Sequence, residues 1–339
     1  MSDIRQALAL LAERHDLSPE LMRGAMTEIM GGQADPAQIG GFLMALRVKG
    51  ETPAEIAAAA EVMRGFAAQV DIEREGLTDI VGTGGDGASL FNVSTASAFV
   101  AAAAGVRVAK HGNRAVSSKS GAADLLEAAG CRLDLNPAQV GVLIDELNVG
   151  FLFAPQHHAA MKHAIGPRKS LGLRTLFNLL GPLTNPALAP NQVLGVFSAE
   201  LLRPMAEVMQ TLGARHVMVV HSTDGLDEIS PVAPTQVAEL RDGALGEYQV
   251  FPEDFGVHLE TLDALLVKGA ADSLALIESA LAGDPGPAAD MIALNAGAAI
   301  YVSGQADSLA AGVERAREVL SKGAGLVRLR AYAERTQAL

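Results

Sequence analysis

Tryptophan is absent from this chain of 339 residues, cysteine occurs once, and aromatic side chains make up 4%. With so few large rings, the core has to be built from Ala, Leu, Val and Ile, as in helix-covered parallel sheets. The lone Cys131 excludes an internal disulfide and fits a reducing compartment. Its ordinary reading is a small buried hydrophobe. Basic charge is also short, with 26 Lys and Arg against 39 Asp and Glu and a net charge of -13. Such a surface repels nucleic acid and anionic membrane, so any basic function must be local. No uninterrupted apolar run reaches membrane-spanning length, and Met1 to Arg5 lacks the basic and apolar regions of a secretory signal. The expectation is a soluble cytoplasmic protein. The P-loop pattern does not occur, which disfavours a nucleoside triphosphate. His157, His158 and His163 lack the spacing of a closed zinc site, and no nucleophile, base and orienter arrangement is legible.

What is present is an apolar fraction of 49%, enough for a sizeable core. From Ile4 to about Ala68 apolar residues recur at helical spacing, and Ser18-Pro19, Asp35-Pro36 and Thr52-Pro53 each mark a helix start. About four helices are expected there. From Thr78 onward short buried strands at Asp79 to Val81, Val106 to Ala109, Val193 to Phe197 and Val217 to His221 alternate with helical patterns. Alternation of this kind predicts a mostly parallel sheet covered by helices. The stretch Gly166 to Pro190 interrupts it and is assigned to the N-terminal helices. The chain therefore reads as a small helical domain, residues 1–72 and 166–190, plus a larger α/β domain, residues 73–165 and 191–339.

Twice the same event occurs: a short apolar run breaks into a donor-rich loop and a helix begins. The first loop is Gly82-Thr83-Gly84-Gly85-Asp86-Gly87, followed by Asn92-Val93-Ser94-Thr95 at a helix start. The second runs from Lys110 to Gly121 and carries Lys110, Arg114 and Lys119 with Ser117, Ser118 and Ser120. Glycine lets backbone N–H groups approach an anion, and helix N-termini favour negative charge. Two such loops at the carboxyl edge of a parallel sheet suit a ligand with phosphate at both ends. Asp227-Glu228 follows a further strand to the same edge, where adjacent carboxylates suit magnesium shared with substrate phosphate.

Taken together, Gly82-Thr83-Gly84-Gly85-Asp86, Asn92-Val93-Ser94-Thr95, Lys110-His111-Gly112-Asn113-Arg114 with its serines, Arg168, Gly181-Pro182-Leu183-Thr184-Asn185-Pro186 and Asp227-Glu228 closely resemble the anthranilate phosphoribosyltransferases. The resemblance is collinear and spans essentially the whole chain. It implies a nucleoside phosphorylase/phosphoribosyltransferase-like fold, a homodimer formed through helical-domain surfaces, and transfer of the phosphoribosyl group of phosphoribosyl pyrophosphate to the amine of anthranilate in tryptophan biosynthesis. It further implies that Gly82, Gly85 and Asp86, with Asn92, Val93, Ser94 and Thr95, cradle the pyrophosphate and ribose. Lys110, His111, Gly112, Asn113, Arg114, Ala115, Val116, Ser117 and Ser118 would wrap the phosphoribosyl group, with Ala122 at the margin. Asn113 and Arg168 would meet anthranilate. Two magnesium ions are implied, one touching Ser94 and a second held by Asp227 and Glu228.

One residue departs from the family pattern. Leu90 stands where a threonine usually precedes the Phe-Asn pair, so a hydroxyl contact to pyrophosphate is missing, with Ser89 the neighbour placed to compensate. His111 is a candidate helper for proton removal, with an orienting role as the alternative. Two other functions share parts of the pattern. Pyrimidine nucleoside phosphorylases resemble it in fold and in the Lys-His-Gly loop, and a catalytically silent nucleic-acid-binding relative is opposed by the acidic balance. Because hydrogen bonds to charged groups contribute about 1.5–3 kcal/mol, Arg168→Ala is expected to raise the KM for anthranilate about 10-fold or more. The KM for phosphoribosyl pyrophosphate should change far less, and steady-state kinetics in both substrates would expose an equal effect.

Overall fold

Proline and a capping side chain set the start of three of the first four helices: α1 (Asp3–Ala12), α2 (Pro19–Met30), α3 (Pro36–Lys49) and α4 (Pro53–Phe66). Ser18 Oγ accepts from Leu21 N at 3.2 Å, while Asp35 and Thr52 form reciprocal capping boxes with Gln38 and Glu55. In the second box Glu55 is fully buried. Its oxygens accept from Leu17 N at 2.8 Å, Thr52 N at 2.8 Å and Lys49 Nζ at 2.9 Å, so the buried charge is paired and fixes the α1–α2 connection against α3 and α4.

The computed structural model describes residues 2–85, 87–115 and 119–339. After the four helices come β1 (Thr78–Gly82), α5 (Val93–Ala103), β2 (Val108–Gly112), α6 (Ala122–Ala128), α7 (Pro137–Leu147) and β3 (Val149–Phe153). Three helices follow, α8 (Ala154–His157), α9 (Lys162–Leu171) and α10 (Leu176–Leu183), then β4 (Asn191–Gly195), α11 (Leu202–Thr211) and β5 (His216–Ser222). The chain closes with β6 (Thr235–Arg241), β7 (Ala244–Val250), α12 (Ala270–Leu281), α13 (Pro287–Val302), α14 (Leu309–Ser321) and α15 (Ala324–Ala338). Among the described residues no helix is long and apolar enough to cross a membrane.

The strands form one sheet in the order β3-β2-β1-β4-β5-β6-β7. The first five are parallel, with Thr78 opposite Asn191 through Gly82 opposite Gly195, and β6 and β7 add antiparallel at one edge. Three strands go beyond those read from the sequence. β3 follows α7 after the single left-handed residue Asn148, too abruptly for a loop signal. β6 and β7 turn at Asp242-Gly243, whose φ values of +48° and +84° are those of a tight hairpin turn.

Alternate residues of the central strands supply two cores. Val193, Met218 and Val220 face α5, α13 and their neighbours, whereas Leu194, Val217 and Val219 face α11 and the N-terminal helices. α9 and α10 pack on α2, α3 and α4, and Ala164, Leu176, Phe177 and Leu180 join that second core. Strands run outward from β1 in both directions, so the crevice beyond Gly82 and Gly195 is the topological switch point.

Removing the buried carboxylate with Glu55→Ala leaves the Leu17 and Thr52 N–H groups without an acceptor and Lys49 with Asp16 as its one remaining carboxylate. The expected loss is about 3 kcal/mol of stability, read as a shift in urea midpoint at unchanged slope.

Candidate active site

At the switch point, β1 ends in Gly82 and the chain turns through Gly84, Gly85 and Gly87, with φ of +64°, +84° and +76°. Thr83 N donates to Gly195 O at 2.9 Å, and Thr83 Oγ1 accepts from Phe197 N at 3.1 Å, which ties the turn to the end of β4. The loop after β5 crosses directly over both strand ends. A Cβ on Gly82 would collide with the Asp227 carboxylate, and one on Gly195 with the Asp227 backbone oxygen. Gly84 N donates to Asp227 Oδ2 at 2.8 Å, and Glu228 lies half-buried beside it.

Helix α5 starts at this crevice, and its first-turn N–H groups have no partner within the helix itself. Val93 and Thr95 are buried, so they offer backbone only, whereas Ser94 is partly exposed and its Oγ accepts from Lys110 Nζ at 3.1 Å. Asn92 serves the protein's own framework. Its Nδ2 donates to Ser120 O at 3.0 Å, and its Oδ1 accepts from Ser120 Oγ and Ser273 Oγ, each at 2.8 Å.

Lys110 and His111 are strand residues rather than loop residues, and both are buried. Lys110 Nζ donates to Ile80 O at 2.6 Å. Burial lowers its pKa, opposed by the charges of Asp79, Glu228 and Asp227. Asp79, fully buried in β1, accepts from His111 N at 3.1 Å and from Asn185 Nδ2 at 2.7 Å. Loss of solvent pushes its carboxyl up to about 6 against the pull of Lys110. The cation read from the sequence as the first residue of a donor loop is thus held in a buried network shared with the carboxylates.

The His111 ring meets Gly181 O at Nδ1, 3.1 Å, and His158 Nε2 at Nε2, 3.2 Å. Burial holds His111 well below its ordinary pKa and pushes His158 down to about 4, with a smaller contribution from His157. Both ring nitrogens of His111 face protein groups.

Beyond Gly112, Asn113 is exposed, and its Oδ1 accepts from Arg114 N at 2.8 Å. The Arg114 guanidinium is engaged by Glu127 at 2.5 and 2.6 Å and by Asp124 at 3.3 Å. Ala115 N and Gly121 N both donate to Asp124 Oδ2 at 2.9 Å, which pins the loop at two points beside Ala122, the first residue of α6. Three cations on a solvated loop are therefore not what this segment presents: Lys110 is buried, Arg114 is ion-paired and only Lys119 is simply exposed. Asp86, Val116, Ser117 and Ser118 lie outside the described residues.

Leu90 forms a bridge with Leu266, flanked by bonds from Phe91 N to Leu265 O at 3.1 Å and Val267 N to Ser89 O at 2.8 Å. Neighbours in such an extended segment project to opposite sides, so Ser89 does not replace a hydroxyl at position 90. Arg168, half-buried on α9, lies 5.2 Å from the Phe177 ring centroid, and burial lowers its pKa.

Several contributors left no sequence signal. Arg174 donates to Gly85 O and lies 4.2 Å from the Phe197 ring centroid, while its own carbonyl accepts from Arg47 Nη1 at 2.6 Å. A lone arginine between Leu173 and Thr175 carries no pattern that would reveal this. The partners of Asp79, His158, Asn185 and Ser273 were hidden because each acts across 30 residues or more of chain.

The descriptions "Glycosyl transferase family, helical bundle domain" and "Glycosyl transferase family, a/b domain" match residues 5–67 and 74–326. The anthranilate phosphoribosyltransferase of Thioalkalivibrio sulfidiphilus is 58% identical over 327 residues, covering 96% of this chain and 97% of that one. The crystal structure of the enzyme from Thermus thermophilus superposes with a TM-score of 0.94 at 46% identity, over 99% of this chain and 100% of that one. The Saccharomyces cerevisiae enzyme in complex with PRPP and Mg gives 0.90 at 30% identity, over 99% and 98%. With its helical bundle, its mostly parallel sheet and the glycine turn under the Asp227 loop, the chain belongs to the anthranilate phosphoribosyltransferases of the glycosyl transferase family.

Proposed function

We propose that the crevice beyond β1 and β4 holds the pyrophosphate end of phosphoribosyl pyrophosphate, and that the carrying observation is Asp227 seated on the glycine turn through Gly84 N. The reaction is transfer of the phosphoribosyl group to the amine of anthranilate, a step of tryptophan biosynthesis. In it the anomeric C–O bond to pyrophosphate breaks, a C–N bond forms, and the amine loses a proton. The amine is uncharged at neutral pH and brings its own lone pair, so departure of pyrophosphate is the demanding event. The N–H groups of Gly85 and the first turn of α5 are fixed donors for the charge that develops there. Asn113 and Arg168 receive anthranilate, the guanidinium facing its carboxylate.

The donor set fits magnesium. Asp227, Glu228 and the Ser94 hydroxyl are hard oxygen ligands, and among the described residues no three His, Cys, Asp or Glu side chains converge as a closed metal site. A few protein oxygens, completed by substrate phosphate, is the usual arrangement for this ion. When bound, it neutralises charge on the leaving pyrophosphate. Two ions, one at Ser94 and one at Asp227 and Glu228, is the reading we adopt.

His111 is assigned an orienting role, joining the end of β2 to α8 and α10 through His158 and Gly181. The proton leaves to solvent or phosphate. The division into residues 1–72 with 166–190 and residues 73–165 with 191–339 is supported by the packing of α9 and α10 on the N-terminal helices, α9 itself starting at Lys162. Exposed Val48, Ile165 and Leu173, on α3, α9 and the turn after it, support a homodimer formed through the helical surface. Cys131, buried with its thiol pushed up to about 12, accords with a cytoplasmic enzyme.

Replacing both carboxylates, Asp227→Asn with Glu228→Gln, should lower kcat/KM about 100-fold or more and flatten the response to magnesium. An unchanged magnesium titration would overturn the assignment. A second expectation concerns acid stability. His158 is neutral in the fold down to about 4 but titrates near 6.5 when unfolded, so its contribution is present above 6.5 and lost as the pH falls toward 4. His111 acts with the same sign, and Asp79, raised from 3.8 to about 6, acts with the opposite sign inside that window. His158→Gln should therefore show a shallower fall in urea midpoint between pH 6.5 and 4 than the parent, and parallel curves would refute this.

A further inference from the structure

Helix α13 is apolar along its buried length, from Met291 to Ile300, except at Asn295, which is 0% exposed. A buried amide is unfavourable unless its groups are hydrogen-bonded. Here three bonds satisfy it. Oδ1 accepts from Ile229 N at 2.9 Å, and Nδ2 donates to Ile229 O and to Met291 O, both at 2.9 Å. The amide thus grips the N–H and the C=O of one residue, and that residue directly follows Glu228. An apolar side chain of similar shape would leave both backbone groups of Ile229 buried and unpaired.

The surrounding loop is anchored on either side of the carboxylates. Leu226 and Ile229 are buried at 2% and 1% exposure. Ser230 Oγ donates to Asp224 Oδ2 at 2.6 Å, and Ser230 N donates to Thr235 Oγ1 at 3.2 Å, closing the segment on itself. Gly82 and Gly195, having no side chains, let Asp227 lie directly on the strand ends. Asn295 holds the backbone of Ile229, the residue that follows the carboxylates, from a helix that packs on β1, β4 and β5.

We propose that Asn295 is the positioning residue for the magnesium-binding carboxylates, acting through the backbone of Ile229. This rests on the assignment of Asp227 and Glu228 to magnesium, and it places the geometry of the metal site under the control of a helix on the far side of the loop. Groups that orient metal ligands typically change affinity about 10- to 100-fold when replaced. Asn295→Asp keeps an acceptor for Ile229 N and removes both donors.

The test is a manganese(II) titration followed by electron paramagnetic resonance at fixed phosphoribosyl pyrophosphate, together with the magnesium dependence of turnover and the KM for anthranilate. Parent, Asn295→Asp, Asn295→Ser and Asp227→Asn are compared, the two Asn295 variants guarding against a folding failure of either. The expected result is manganese affinity weakened about 10-fold or more in the Asn295 variants, a matching rise in the magnesium needed for half-maximal rate, and an anthranilate KM within about twofold of the parent. A general loss of kcat at parental manganese affinity would overturn the inference. So would unchanged binding in the Asn295 variants while Asp227→Asn weakens it, and then the carboxylate assignment stands. Parental affinity in Asp227→Asn as well removes the assignment itself.

Discussion

The structure depends on one close approach, the loop carrying Asp227 lying flat across the carboxyl ends of β1 and β4. It is possible only because Gly82 and Gly195 pair with each other and carry no side chains, so backbone and carboxylate occupy the space where two Cβ atoms would stand. The carboxylate then reaches Gly84 N at 2.8 Å, and the glycine turn takes its shape under it. Donor turn and carboxylate are thus built as one unit at the switch point of the sheet.

A second layer of organisation lies beneath this contact. Asp79 and Lys110 sit on adjacent strands, both buried, and each is held by several groups: Asp79 by His111 N and Asn185, Lys110 by Ile80 O and Ser94. Through Asn185 and His111 the network reaches the Gly181 to Pro186 segment and, through His158, the short helix α8. On the solvent side Arg47, Arg174 and Gly85 form a separate connection from α3 to the glycine turn. The segment that bears Arg168 is therefore tied to the crevice beyond β1 and β4 from two directions.

The helical start signals were fully legible, because Ser18, Asp35 and Thr52 act within three residues of themselves and their proline neighbours pre-set the backbone. The carboxyl-edge loops were legible for a similar reason, glycine marking the positive φ of Gly84 and Gly85. What misled was charge. Lys110, Arg114 and Lys119 look alike in a row of letters, yet one lies mid-strand inside the core, one pairs with two carboxylates of α6, and one meets water. Strand β3 and the β6–β7 pair escaped notice too, although Asp242-Gly243 is a local hairpin signal.

By itself the sequence determined the helical bundle, the alternation that builds a parallel sheet, the two glycine- and donor-rich edges and the carboxylate pair at a third, since capping, periodicity and glycine conformation are local properties. Only the tertiary structure decided which of these groups work together. Asp227 meets Gly84 across 143 residues, His111 meets His158 across 47, and Asn295 meets Ile229 across 66. Such pairings are set by strand order and helix packing, which bring distant segments together only once the whole sheet has formed.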